Sequence, residues 1–352
     1  MASSNSTAHS ASFYYSVLLW AALLYGAGVV FKFGSVYLYE SLMPWFSEDP
    51  VKPRTQPVPM PFGKAILWWG LGIYLLLSGL VSIPPQAAVL SHVGLTHLLT
   101  IESQRGLGKT LRLGFLSFWS VHPITYNIVV FMLQSVFGLF LITERDTLLG
   151  RISVVLTGLW GLLVAIFPQG LGYLFSNRHS IIAGAPGSGL LVAALAFLLL
   201  LPTARWKSSQ TLPRWMGRVW TTLFTLGALV QLTFLRAPRL VRLYPTPPLL
   251  LPISGLGTIT GLSRHFPILV DLFWTLLLAL LALAPLARSR VAFFVAGLFI
   301  IVLWWFGQGF GLMAGFGLNL NTAPLWALIL LVLYKSRTPQ DTSHVDRGHP
   351  KS

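Results

Sequence analysis

Five polar side chains stand out in an otherwise apolar chain because of what each could do there. Asp271 lies four positions after Pro267 at the start of a long apolar run. An ionisable group in such a run is a functional candidate by default, although a carboxylate near a helix start also complements the helix dipole. Asn127 follows Pro123 by the same four positions and supports a capping role there, because both side-chain types accept hydrogen bonds from free backbone N–H groups. His122, directly before Pro123, is a candidate haem ligand or proton acceptor, and equally an interfacial residue. Gln169 and Gln308 sit in glycine-rich breaks, Pro168-Gln169-Gly170-Leu171-Gly172 and Gly307-Gln308-Gly309-Phe310-Gly311.

The two breaks read as copies. Gln169 and Gln308 are 139 residues apart (308 − 169), and the prolines that follow them, Pro186 and Pro324, are 138 apart (324 − 186). Each break closes an apolar helix, and each proline opens another. Such self-similarity marks an internal repeat. Glycines let a backbone leave helical geometry and approach a neighbour closely. The last carbonyls of the helix then lack partners, and lipid supplies none. A glutamine amide can satisfy them, which predicts a capped, packed helix end. A functional reading stands beside it: both breaks and both proline-started helix N-termini converge into a polar pocket, where helix dipoles would attract a quinone head group or a small oxyanion.

Other polar residues carry weaker signals. His92 and His97 are five apart, not the four that would align them on one helix face. Gln134 and Gln231 fall mid-span and read as interhelical hydrogen-bonding residues. Gly187 and Gly189 around Ser188 suggest close helix packing, because the stretch lacks the Lys and Ser/Thr pair of a phosphate loop.

What must position these residues is a helical membrane body. Of 352 residues, 55% are hydrophobic and 9% charged, with mean hydropathy +0.72. Soluble domains carry about a quarter charged residues, so the reading is an all-α, polytopic transmembrane bundle. Cysteine is absent, which excludes disulfides, thiolate nucleophiles and Cys-ligated metal or iron–sulfur sites. No metal site is expected. The net charge of +15 comes from Lys and Arg in short loops, where it reads as topology signal and contact with anionic lipid, not as a nucleic-acid surface.

Nine spans are expected. Residues 12–38 form the first, with no positive n-region before it to mark a cleaved signal peptide. A Pro-rich linker to residue 63 separates it from the body. Residues 64–203 form a first four-span repeat, with spans near 64–83, 123–142, 152–167 and 186–201. Residues 86–121, apolar but interrupted by charges, read as short amphipathic helices. Residues 204–336 form the second repeat, with spans near 215–235, 267–284, 291–306 and 324–334. Residues 337–352 read as a disordered cytoplasmic tail.

Assigning loops alternately puts eight basic residues on the N-terminal side (positions 105–112, 178 and 236–264) and fifteen on the other. The positive-inside rule then places the N-terminus outside and the C-terminus in the cytoplasm of a bacterial plasma membrane. Four spans per copy give both copies one orientation, related by an axis along the membrane normal.

The four-span unit with a Gly-rich polar break after its third helix resembles the DoxX/DoxD-like bacterial membrane proteins. It is also similar to bacterial proteins with a Gly-[Glu/Gln]-Gly-[Phe/Leu]-Gly stretch followed by Thr-Gly-Ala-Pro-Gly. Here the matching residues are the two breaks, with Ala183-Gly184-Ala185-Pro186-Gly187 after the first and Thr322-Ala323-Pro324 after the second. The resemblance covers residues 64–334 as a tandem pair. It implies a membrane partner of quinone-linked sulfur or thiol oxidation, often a small subunit beside a catalytic one. This chain has Gln where an acidic residue often stands, and no Cys. The expected function is therefore an integral subunit or scaffold, non-catalytic by itself, with quinone as the one possible cofactor and redox subunits as partners. The alternatives are a small-solute or ion transporter on parallel repeats, or an enzyme with its own cofactor. The last is disfavoured by the lack of Cys and of a His pair at haem spacing.

Overall fold

The computed structural model describes residues 60–82, 107–119, 121–145, 147–171, 180–207, 211–234, 262, 265–287, 289–308 and 321–335. Every element among them is helical. In chain order they are α1 (Phe62–Ser82), α2 (Leu107–Trp119), α3 (Pro123–Thr143), α4 (Leu148–Ile166), a 3₁₀ turn (Ile181–Ala183), α5 (Ser188–Leu199), α6 (Thr203–Lys207), α7 (Thr211–Phe234), α8 (Pro267–Leu283), α9 (Arg290–Val302) with a π turn (Leu303–Gly307), and α10 (Ala323–Lys335). Three stretches, Phe62–Gly79, Leu148–Ile166 and Arg290–Gly307, are long and apolar enough to cross a membrane. Four shorter apolar helical stretches accompany them. The expected span at 12–38 lies outside the described residues.

The packing pairs follow the chain. In the first half α1 packs on α3, α3 on α4, α4 on α5, and α5 returns to α1. In the second, α7 packs on α8, α8 on α9, α9 on α10, and α10 returns to α7. Each half thus closes a ring of four helices, and α10 also packs on α1 and α5 to join the two.

The two rings close by different means. Within the first, glycines bring backbones together: a Cβ on Gly138 would stand 2.7 Å from the Gly72 carbonyl oxygen, and one on Gly189 2.6 Å from that of Gly161. The expected close packing around Ser188 is therefore carried by Gly189 against α4, whereas Gly187 (φ +87°) is the turn residue before α5. In the second ring, side chains reach carbonyls past the helix surface. Trp220 Nε1 donates to the Leu281 carbonyl (2.7 Å) and Thr221 Oγ1 to that of Ala282 (3.0 Å). Trp220, Phe224 and Trp326 form a buried aromatic cluster, with Trp326 edge-on to both neighbours.

Outward faces of α8 and α9 carry Ile268, Leu272, Phe273, Leu276, Phe294, Leu298 and Ile301 exposed. In water such faces would be a liability; against acyl chains they cost nothing.

Several boundaries differ from the sequence reading. The fourth expected span begins at Leu148, not 152, and takes in Arg151. Thr147 explains it: its Oγ1 accepts from the Gly150 N–H at 3.0 Å, an N-cap that starts the helix a turn earlier. The fifth starts at Ser188, because Pro186 lies in the turn that precedes the Gly187 N-cap. The sixth starts earlier than expected, at Thr211. Of the stretch read as short amphipathic helices, α2 is described.

Candidate functional site

Both glutamine breaks are built alike. The Gln169 N–H donates to the Val164 carbonyl (3.1 Å) and the Gln308 N–H to that of Leu303 (3.0 Å), each an i→i−5 bond. One wide turn of this kind swings the residue off the helix path. Gly170 (φ +53°) and Leu171 (φ +66°) then turn the first chain away in the left-handed region, where glycine is at ease and leucine is not.

The glutamine side chains do not reach back to the last carbonyls of their own helices, as the sequence reading expected. They reach forward. Gln169 Oε1 accepts from the Gly189 N–H (3.0 Å) and its Nε2 donates to Ser188 Oγ (2.7 Å). Gln308 Oε1 accepts from the Ala323 N–H (3.0 Å) and its Nε2 donates to Thr322 Oγ1 (2.8 Å). In each half a primary amide grips the first turn of the following helix by one backbone N–H and one hydroxyl. The physical reason is that a helix start exposes free N–H groups, and an amide oxygen is a better partner for them than lipid or apolar side chains.

Gln308 has a further bond. Its Nε2 also donates to the Ile181 carbonyl (3.2 Å), in the 3₁₀ turn that precedes α5. That turn lies against the second ring. A Cβ on Gly227 would meet the Ile181 side chain, at 2.5 Å, and one on Gly307 would stand 3.0 Å from Ile182 Cγ2. The reciprocal contact comes from Asn321, whose carbonyl accepts from Tyr74 Oη (3.0 Å) on α1. The Asn321 amide sits where a Cβ on Gly184 would be, and its Oδ1 accepts from the Thr322 N–H (2.8 Å).

Asp271 belongs to the same buried chain. It is 0% exposed. Its Oδ1 accepts from Gln231 Nε2 (2.8 Å), and Gln231 Oε1 accepts from Ser180 Oγ (3.2 Å). Ser180 Oγ also accepts from the Ile182 N–H (3.3 Å), which fixes the 3₁₀ turn. Among the described residues, Asp271 Oδ2 is buried and has no hydrogen-bond partner. The capping role expected for Asp271 is thus not how its Oδ1 is used: that oxygen takes an amide from α7. Gln231 does act as the interhelical residue its mid-span position suggested. Followed end to end, the polar path runs from Asp271 through Gln231, Ser180, the Ile181 carbonyl, Gln308, Thr322 and Asn321 to Tyr74. Tyr74 in turn lies within hydrogen-bond reach of Ser188, the partner of Gln169.

The remaining candidates do not join this path. His122 is exposed at the N-cap of α3, makes no side-chain cap bond, and lies edge-on to Tyr126 at 6.3 Å. The side chain of Asn127 and all of Gly172, Gly309, Gly311, His92 and His97 lie outside the described residues. Pro168 and Gly307 are buried beside the glutamines, and Pro186 and Pro324 are half-buried before and within the first turns of α5 and α10. Among the described residues no group of three or more His, Asp or Glu is placed to hold a metal ion. Sequence reasoning missed Tyr74 and Ser180, which carry no local signal; Asn321 and Thr322 stand in the Asn321-Thr322-Ala323-Pro324 stretch after the second break, where the motif marks their place but not their bonds.

No protein-family model matches the sequence, and no curated protein or solved structure resembles it at a significant level.

Proposed function

We propose that the chain is an integral subunit or scaffold of a quinone-linked, DoxX/DoxD-like membrane redox system, non-catalytic by itself. What supports the scaffold role is the use made of Gln169 and Gln308. Both amides are committed to intramolecular bonds at the starts of α5 and α10, so the helix N-termini that would attract an anion or a quinone oxygen are already served. A protein that spends its buried polar groups on joining its own helices is suited to hold a partner in place. The redox assignment rests on the Gly-rich motifs and their resemblance. In this proposal residues 64–203 and 204–336 are parallel repeats. The chain then has nine spans, one N-terminal and four in each repeat, with the N-terminus outside and the C-terminus in the cytoplasm of the plasma membrane.

A second reading, a small-solute or ion carrier, is favoured by Asp271, because a buried carboxyl with an unpartnered oxygen is a common mark of a transport path. Purification from native membranes separates the two. Co-elution of redox subunits supports the scaffold. A chain that purifies alone and carries solute into liposomes, with flux abolished by Asp271→Asn, refutes it. Orientation is checked independently: cysteine is absent, so Asn177→Cys and Leu318→Cys report accessibility without background. Labelling from opposite faces would end the parallel-repeat model.

A further inference from the structure

Asp271 is the buried ionisable group that joining helices does not account for. It follows Pro267, the first residue of α8, by four positions, about 6 Å along the helix axis. Its side chain is fully buried, yet only one carboxyl oxygen is engaged. Oδ1 accepts from Gln231 Nε2 at 2.8 Å, while Oδ2 is buried with no hydrogen-bond partner among the described residues. An ionised carboxylate offers about four acceptor positions, so one N–H leaves it far from satisfied.

Nor is there a cation to balance it. The helices packed most closely on α8 are α7 and α9. Facing Asp271, α7 presents the neutral Gln231, with Arg214 and Arg218 near the opposite end of that helix; α9 carries Arg290 at its start, next to the far end of α8. The turn before α5 adds Ser180, reached through Gln231. Ahead of α8 stands His265, which is exposed. Two influences therefore oppose each other. Burial without a cation weighs against the charged form. The Gln231 N–H and the free N–H groups at the start of α8 weigh for it.

Gln231 is built to follow either form. Facing a carboxylate, its Nε2 donates to Oδ1 and its Oε1 accepts from Ser180 Oγ (3.2 Å). Facing an acid protonated on Oδ1, a half-turn of the amide lets Oε1 accept the acid proton and Nε2 donate to Ser180 Oγ. No heavy atom has to move, since 2.8 Å suits an O–H···O bond as well as an N–H···O bond. Oδ2 is then a neutral carbonyl oxygen, whose lack of a partner costs far less than an unpaired charge.

We propose that Asp271 is a proton-binding site, taking up one proton on Oδ1 as the Gln231 amide turns to accept it. The carboxylate becomes a carboxylic acid, and no other covalent bond forms or breaks. This names a ligand for the carboxyl on which the carrier reading rests, but it requires no flux, and a scaffold subunit can hold the same proton.

Infrared spectroscopy of the full chain in lipid nanodiscs tests it, in light and heavy water, as the buffer is cycled between mildly acid and mildly alkaline pH. A protonated carboxyl has a C=O stretch that shifts on deuteration, which the ester carbonyls of the lipid do not share. One such band should appear reversibly on acidification and be lost in Asp271→Asn. In Gln231→Leu it should move to higher frequency, as an acid does on losing its hydrogen-bond partner. Identical pH-difference spectra for the parent and Asp271→Asn overturn the proposal. So does an Asp271 band that stays constant through the cycle, or one that is unmoved in folded Gln231→Leu. Solute flux plays no part in this readout, so the carrier reading and the proton site fail separately.

Discussion

Replacing Gln308 by Leu tests the clamp most directly. The substitution keeps roughly the same length and removes three hydrogen bonds from a side chain that is 0% exposed. It strands the Ala323 N–H and takes a donor from the Thr322 hydroxyl, while the Ile181 carbonyl keeps the Gly184 N–H (3.1 Å) and loses only its second bond. The Thr322 oxygen loses a donor but keeps its own O–H to give, so the Ala323 N–H carries the largest share of the cost. The buried N–H left unsatisfied costs about 1–3 kcal/mol, and the two other bonds lost add about 0.5–1.5 kcal/mol each, which gives roughly 2–6 kcal/mol in all. Leucine regains some by burying apolar surface, on the order of 1 kcal/mol. The expected net loss is therefore a few kcal/mol. At roughly 2–4 °C per kcal/mol for a domain of 150–250 residues, the midpoint falls by about 5–15 °C. The assay is tryptophan fluorescence during heating in nanodiscs at one fixed scan rate, since unfolding of such proteins is commonly irreversible. Gln169→Leu also strands one backbone group, the Gly189 N–H, but it loses two bonds, not three, and breaks no contact between the rings, so its drop should be smaller. A Gln308→Leu midpoint within a degree of the unaltered protein, or the reverse order of the two variants, would refute the clamp.

Two further substitutions follow from the packing. Gly189→Ala places a Cβ 2.5 Å from the Ala165 nitrogen and 2.6 Å from the Gly161 carbonyl oxygen; α4 and α5 must separate, and the yield of monodisperse protein on size exclusion should collapse. Asp271→Asn keeps an acceptor for Gln231 Nε2 and removes a buried charge, so its thermal midpoint should equal or exceed that of the parent. Asp271→Leu strands the Gln231 amide and should lower the midpoint by several degrees.

The sequence announced the apolar helices and the glutamines but not what the glutamines hold. Apolar runs bounded by Pro and Gly are local signals, so α1, α3, α8 and α10 fall near where the pattern puts them. Gln169 and Gln308 were legible as a pair because the glycines around them recur. Their partners were not, since a glutamine can cap behind or ahead with equal ease, and the choice is made by how the next helix folds back. The link from Tyr74 to Asn321 joins residues 247 apart, and that from Ser180 to Gln231 joins residues 51 apart. No periodicity records such pairings. The start of α4 was missed for a nearer reason: Arg151 looked like part of a loop, while the capping power of Thr147 was overlooked.

The amide clamp closes chain segments of unequal length. From Gln169 to the N–H it holds is 20 residues, and from Gln308 to its counterpart is 15. Both ends of each segment are pinned by the same pair of bonds, which fixes where the following helix starts relative to the break. The far ends of the two segments also cross over: Ser180 and Ile181 bond to the second ring and Asn321 to the first, so each half carries part of the fastening of the other.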